Sequence, residues 1–134
     1  MPTPTPTLAP EVRIAEADHA LFNGDYQAAL SEYTAAYHTS TNPDILSAAL
    51  LGQGRIHYLT GVYPNALDEF RAIINNYPSS PQAADAYYFL GETLMLLDRY
   101  TEASDAYTNY LNVRPGVLDA FINERMGDAL VATG

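Results

Sequence analysis

The sequence predicts an all-α solenoid: three stacked helix-turn-helix units followed by one further helix. Three observations predict it. First, a pattern recurs at a fixed interval of 37 residues, with its tyrosine anchors at 26, 63 and 100. It reads Gly24-Asp25-Tyr26-x-x-Ala29-x-x-x-Tyr33-x-x-Ala36, then Gly61-Val62-Tyr63-x-x-Ala66-x-x-x-Phe70-x-x-Ile73. The third copy is Asp98-Arg99-Tyr100-x-x-Ala103-x-x-x-Tyr107-x-x-Tyr110. A period in this range marks helical hairpins that must stack because none can bury its apolar face alone. Second, the flanking slots repeat. Ala17, Gly54 and Gly91 each lie seven residues before the turn, and Pro78 and Pro115 follow Gly54 and Gly91 by 24. Third, no segment alternates at period two for long enough to argue a strand. A closed helical bundle is the competing all-α arrangement, but it needs no repeated interface.

The elements follow in order. Residues 1–9 alternate proline and threonine and are expected to form an extended, flexible linker. Helices are predicted at 10–23 and 25–39, joined at Gly24, which permits a left-handed turn. The second pair is 43–60 and 63–76, joined at Gly61, and Asn42-Pro43-Asp44 offers a start for it. Pro64 falls in the first turn of its helix, where its missing N–H costs little. Pro78 cannot continue a helix, and Ser80-Pro81 reads as a cap followed by a first-turn proline. The third pair is then 81–97 and 99–113, closed by Pro115. Gly127 opens a fourth copy within a last helix at 116–133. The repeats divide as 10–42, 43–79, 80–115 and a partial unit at 116–134, and residues 10–134 form one domain.

These residues resemble the tetratricopeptide repeat family over roughly residues 10–134. The family's small residue in the first helix is matched by Ala17, Gly54, Gly91 and Gly127, and its Gly-x-Tyr turn at Gly24 and Gly61. The crossing alanine is matched by Ala29, Ala66 and Ala103, the aromatic by Tyr33, Phe70 and Tyr107, and the closing proline by Pro78 and Pro115. The sequence departs from the pattern in two ways. Leu50 and Tyr87 stand where the family has an early tryptophan, and the period exceeds the family's usual length of about 34. The extra residues fall between hairpins, around Thr39–Pro43 and Tyr77–Pro81. The longer linker is similar to repeats of bacterial envelope proteins: outer-membrane assembly lipoproteins, cell-division coordinators and the helical region of soluble lytic transglycosylases. The resemblance implies a right-handed solenoid whose first helices line a concave groove.

Composition excludes several classes. All six positive side chains are arginine, against sixteen carboxylates, for a formal charge of −10. Nucleic acid and anionic membrane surfaces, which need concentrated positive charge, are therefore not expected partners. No apolar run is long enough to span a bilayer. Cysteine is absent, so there is no thiolate chemistry. The histidines at 19, 38 and 57 form no His-x-x-x-His pair, so no metal is expected, and His57 reads as a core or half-buried side chain. Gly52-Gln53-Gly54 looks like part of a phosphate loop but lies mid-helix with no strand before it. Neither a cofactor nor catalysis is expected.

The candidate site is the groove. Matched slot by slot, the resemblance places Glu11, Ile14, Asp18, Leu21 and Phe22 there from the first unit. The second unit gives Ala48, Leu51, Arg55, Tyr58 and Leu59, and the third Asp85, Tyr88, Glu92, Met95 and Leu96. The last helix gives Phe121, Glu124, Asp128 and Val131. Of these, Leu51, Leu59, Leu96 and Val131 are expected to pack between hairpins instead. The expected binding residues are Asp18, Arg55, Tyr58, Asp85, Tyr88, Glu92, Met95, Glu124 and Asp128. Acidic side chains among apolar and aromatic ones suit a protein or peptide with apolar anchors and basic flanks.

The expected function is a non-catalytic interaction module of a bacterial extracytoplasmic protein, with the Pro-Thr tract as a spacer. The alternative is a helical domain of a lytic transglycosylase whose catalytic domain lies outside this chain. Met1 directly before the tract and the stop at Gly134 suggest a fragment of a longer protein. The last helix is expected to expose Leu118, Ile122, Met126 and Leu130 and to support self-association, because terminal repeats normally carry a polar cap.

Overall fold

The computed structural model describes residues 8–134; the predicted linker lies outside these, apart from its last two residues, Leu8 and Ala9. Seven helices follow: α1 Pro10–Phe22, α2 Tyr26–Thr39, α3 Pro43–Leu59, α4 Tyr63–Asn76, α5 Ala83–Leu96, α6 Tyr100–Val113 and α7 Asp119–Ala132. There is no strand among the described residues. Each helix packs on the next, and α1 also touches α3, as α3 touches α5. The first helices of the hairpins thus form one layer and the second helices another, with no substantial contact closing the first hairpin onto the third.

The three hairpin turns share one geometry. Gly24 and Gly61 adopt φ of +78° and +80°, and Asp98 takes the same left-handed conformation at 58°. In each, the next residue donates its N–H five residues back, from Asp25 to Ala20, Val62 to His57 and Arg99 to Leu94. This satisfies carbonyls that the ending helix would otherwise leave orphaned. Asp25 and Asn42 cap α2 and α3, their side chains accepting from the N–H groups of Ala28 and Asp44.

Two helix starts differ from the prediction. Ser80 and Pro81 do not open α5; they form a turn, and α5 begins two residues later behind Gln82. The reason is lateral. The Ser47 hydroxyl, buried in α3, donates to Gln82 Oε1, so the polar start of α5 is tied to the preceding hairpin. The last helix begins at Asp119, not 116, because the Asp119 carboxylate accepts the Gly116 N–H and holds residues 116–119 in a turn.

The hairpins close on small residues. A Cβ added at Gly54 would lie 2.5 Å from the Phe70 ring, and one at Gly91 would lie 2.6 Å from Tyr107. These aromatic rings lie against the bare helix backbone, which brings α3 onto α4 and α5 onto α6. In the first hairpin the slot holds Ala17, and Tyr33 packs against Gly52 of the next hairpin instead. The core accordingly falls into two clusters. One contains Ala17, Ala29, Tyr33 and Ile56; the other runs from Leu50 through Phe70, Leu94 and Tyr107 to Ile122.

Other expectations are corrected here. Leu118 and Leu130 are exposed as expected, but Ile122 is fully buried and Met126 packs against the core; Phe121 and Val131 are the other exposed large apolar side chains of the last helix. Leu59, Leu96 and Val131, expected to pack between hairpins, are each more than half exposed. Their slots sit near the ends of the first helices, beyond the reach of the neighbouring hairpin. His57 is half-buried, as expected, beside Glu69, 2.8 Å from its carboxylate. Burial pushes the Glu69 carboxyl upward, and the hydrogen bond to His57 opposes that shift.

A concave face with an open pocket between the first two hairpins

The slots at 18, 55 and 92 are separated by one period and face their second helices at 33, 70 and 107. Where the second helix carries tyrosine, the first carries an acid. The Tyr33 hydroxyl donates to Asp18 Oδ1, and the Tyr107 hydroxyl donates to Glu92 Oε1 at 2.7 Å. Burial pushes both phenols upward, and the neighbouring carboxylate adds to the shift. In the middle unit the partner is Phe70, which offers no hydroxyl, and the acid is replaced by Arg55. The Arg55 guanidinium lies 5.4 Å from the centre of the Phe89 ring.

The two acids differ in surroundings. Glu92 is buried, and Arg125 of α7 donates to it through Nε at 3.0 Å and Nη2 at 3.1 Å. Asp18 is exposed. Tyr33→Phe is therefore expected to cost under about 1 kcal/mol, since water can replace the lost donor, whereas Tyr107→Phe should cost about 1–2 kcal/mol. Thermal denaturation of the two variants side by side checks the order.

The remaining expected binding residues fall into three settings. Tyr58 and Tyr88 are half-buried on either side of Phe89, at ring distances of 5.8 and 5.1 Å, and Tyr88 also approaches Phe121 at 6.3 Å. Burial raises the phenol of each. Asp85 pairs with Arg114 at 2.7 Å, and Met95 packs against the main core cluster. Glu124 and Asp128 are exposed on α7, with Asp128 3.8 Å from Arg125. Glu92 is thus engaged by internal partners, while Asp18, Glu124 and Asp128 present their carboxylates to solvent.

The structure brings one set of groove positions together around a cavity of about 400 Å³ between α1 and α3. Its walls are Ile14, Asp18, Leu21 and Phe22 on one side and Ala48, Leu51, Arg55 and Leu59 on the other. All eight occupy slots that the resemblance matches to the groove, but Leu51 and Leu59 were expected to pack between hairpins instead. Sequence reasoning missed three others: Tyr33, which lies against Gly52, Gly52 itself, and Gln82. A second cavity of about 380 Å³ lies further along, between Arg55, Asp85, Tyr88 and the 114–118 turn. Arg55 borders both. Among the described residues no group of histidine and carboxylate side chains is arranged to hold a metal ion.

The model of the tetratricopeptide repeat matches residues 14–81, just over half of the chain and most of the first two hairpins. The chain belongs to the tetratricopeptide repeat family. The third hairpin, outside the matched span, repeats the same small, aromatic and turn slots. Among solved structures, the crystal structure of MamA protein superposes with a TM-score of 0.58 at 18% identity, covering 93% of this chain and 82% of that one. The fold is the right-handed, all-α tetratricopeptide repeat solenoid. Against curated proteins the sequence finds no match. Membership of the family places the chain among protein-interaction scaffolds.

Proposed function

We propose that this tetratricopeptide repeat chain is a non-catalytic interaction module of a bacterial extracytoplasmic protein, and that it holds a protein or peptide partner against its concave face. One observation carries the reading: Ile14, Asp18, Leu21, Phe22, Ala48 and Arg55, assigned to the groove by family slots, line one open cavity. Ligand pockets typically have volumes of about 300–1,000 Å³ and combine apolar walls with a few polar groups. Phe22 and Leu59, at 89% and 51% exposure, add uncovered apolar surface at its rim. The net charge of −10 and the exposed Asp18, Glu124 and Asp128 favour a partner with basic flanks. The extracytoplasmic assignment draws on the Pro-Thr composition of residues 1–9 and on the long linkers between hairpins. Self-association through the last helix is a second use and would run through the exposed Leu118, Phe121, Leu130 and Val131.

A photo-reactive phenylalanine analogue tests the reading. Placed at Leu59 or Tyr88 in cells that make the parent protein, it is expected to give a discrete protein adduct in the envelope fraction. The same group at Asp68 or Asp105, exposed on the second helices, should give none. Adducts from the second helices alone would overturn the groove assignment. Release of peptidoglycan fragments by the purified chain would overturn the non-catalytic one.

A further inference from the structure

We infer that the cavity over Gly52 is an anchor site for one aromatic side chain of a partner segment, with a basic residue beside the aromatic in the partner's sequence. The inference rests on the interaction reading above and specifies its ligand. It starts from a comparison of the chain with itself. One period after Gly52 stands Phe89. Phe89 fills the space between the second and third hairpins. Its ring stacks on Phe70 at 5.8 Å with an interplanar angle of 17°, meets Tyr58, and lies under the Arg55 guanidinium. Between the first and second hairpins the ring is absent, and Leu21 and Asp18 hold the slots of Tyr58 and Arg55. Tyr33 stands for Phe70, Arg55 borders the space, and position 52 supplies no side chain.

The chain cannot supply that ring from position 52. The Tyr33 ring occupies the place where a Cβ would be, so any larger residue would force the tyrosine off its seat. The missing group has to come from elsewhere, and the cavity of about 400 Å³ is large enough for it. Arg55 is also the one arginine among the described residues with no carboxylate in ion-pair range; Arg13, Arg71, Arg99, Arg114 and Arg125 all have one. Its guanidinium is free to lie against a second aromatic face, as it does against Phe89. Opposite, Asp18 accepts the Tyr33 hydroxyl on Oδ1 and is exposed as a residue. A lysine or arginine next to the anchor meets that carboxylate, in keeping with the chain's excess of acid.

The amidated, acetylated pentapeptides GFRRG, GARRG and GFEEG, titrated into the ¹⁵N-labelled chain, test the inference. GFRRG is expected to shift the amide resonances of Gly52 and Arg55 saturably and to bind at least about tenfold tighter than either of the others. Ala48→Trp, which fills the cavity from the α3 side, should abolish the shifts. Asp18→Asn, which keeps an acceptor for Tyr33 and removes only the charge, should retain them and narrow the preference for GFRRG over GFEEG several-fold. Equal binding of GARRG, no shift with any peptide, or a folded Ala48→Trp that binds as well as the wild type would overturn the anchor site. Saturable shifts at Tyr88 and Phe121 in place of Gly52 would also overturn it, while leaving the concave-face reading intact.

Discussion

Gly91→Leu is expected to lower the melting temperature by about 10 °C or more, corresponding to about 3 kcal/mol of overpacking. The first added carbon would already stand 2.6 Å from the Tyr107 ring. That ring cannot swing aside, because Tyr107 is fully buried and its hydroxyl is fixed on Glu92. Gly91→Ala should destabilise for the same reason. Gly127 provides the control, since it holds the matching slot of the last helix, 36 residues on, and an added Cβ there meets nothing within 4 Å. Gly127→Ala is expected to stabilise by about 0.5–1 kcal/mol through helix propensity alone. The same substitution thus changes sign between equivalent positions, according to whether a second helix lies across it. Melting curves of the two alanine variants decide the point, and two shifts of the same sign would contradict the packing described for α5 and α6.

Glu92→Ala is expected to cost about 3 kcal/mol. The loss strands two groups at once. The Tyr107 hydroxyl loses its acceptor in the core, and the Arg125 guanidinium loses the carboxylate that holds α7 against α5. Glu92→Gln keeps an acceptor and should cost about half as much. The triple change Glu92→Leu, Tyr107→Phe, Arg125→Leu removes every member of the network together, so its cost should fall well short of the sum of the single changes. Urea denaturation of the series measures this. A Glu92→Ala variant within about 0.5 kcal/mol of wild type would mean that Glu92 is free for a partner and not engaged inside the fold.

The backbone of this protein was legible in its sequence because the period is written in residues with a steric reason to recur. Ala29, Ala66 and Ala103 are all fully buried, as are the rings at 33, 70 and 107 apart from a trace of exposure at Tyr33. Pro64 sits in a first helical turn as its fixed φ requires. Helix starts were less legible. Ser80-Pro81 carries the local signature of a cap, but the Ser47 to Gln82 hydrogen bond spans 35 residues and cannot be seen from either end. Most of the cavity walls followed from slot matching, since facing is a property of helical register, but Leu51 and Leu59, expected between hairpins, line it too. The floor did not. Gly52 looked like a fragment of a loop motif, and nothing in its neighbours shows that Tyr33 reaches it from another hairpin. Glu92 shows the same limit, because its partner Arg125 lies 33 residues away on α7. The clue was present in the alternation of acid with tyrosine and of arginine with phenylalanine across equivalent slots.

The division of the core into two clusters bears on how the molecule comes apart. Stability in a repeat array is a sum of unit and interface terms, and openings spread from the weakest interface. Between the first hairpin and the rest lies an open pocket at the place that Phe89 fills in the next joint. The first hairpin carries its own small core cluster, so its amide protons are expected to exchange independently of the cluster around Phe70 and Tyr107. A ligand seated over Gly52 touches both α1 and α3 and acts as a clasp across that joint. Binding there would be registered as slowed exchange along all of α1 and α2, well beyond the residues in contact, so that occupancy is converted into stiffness at one end of the array.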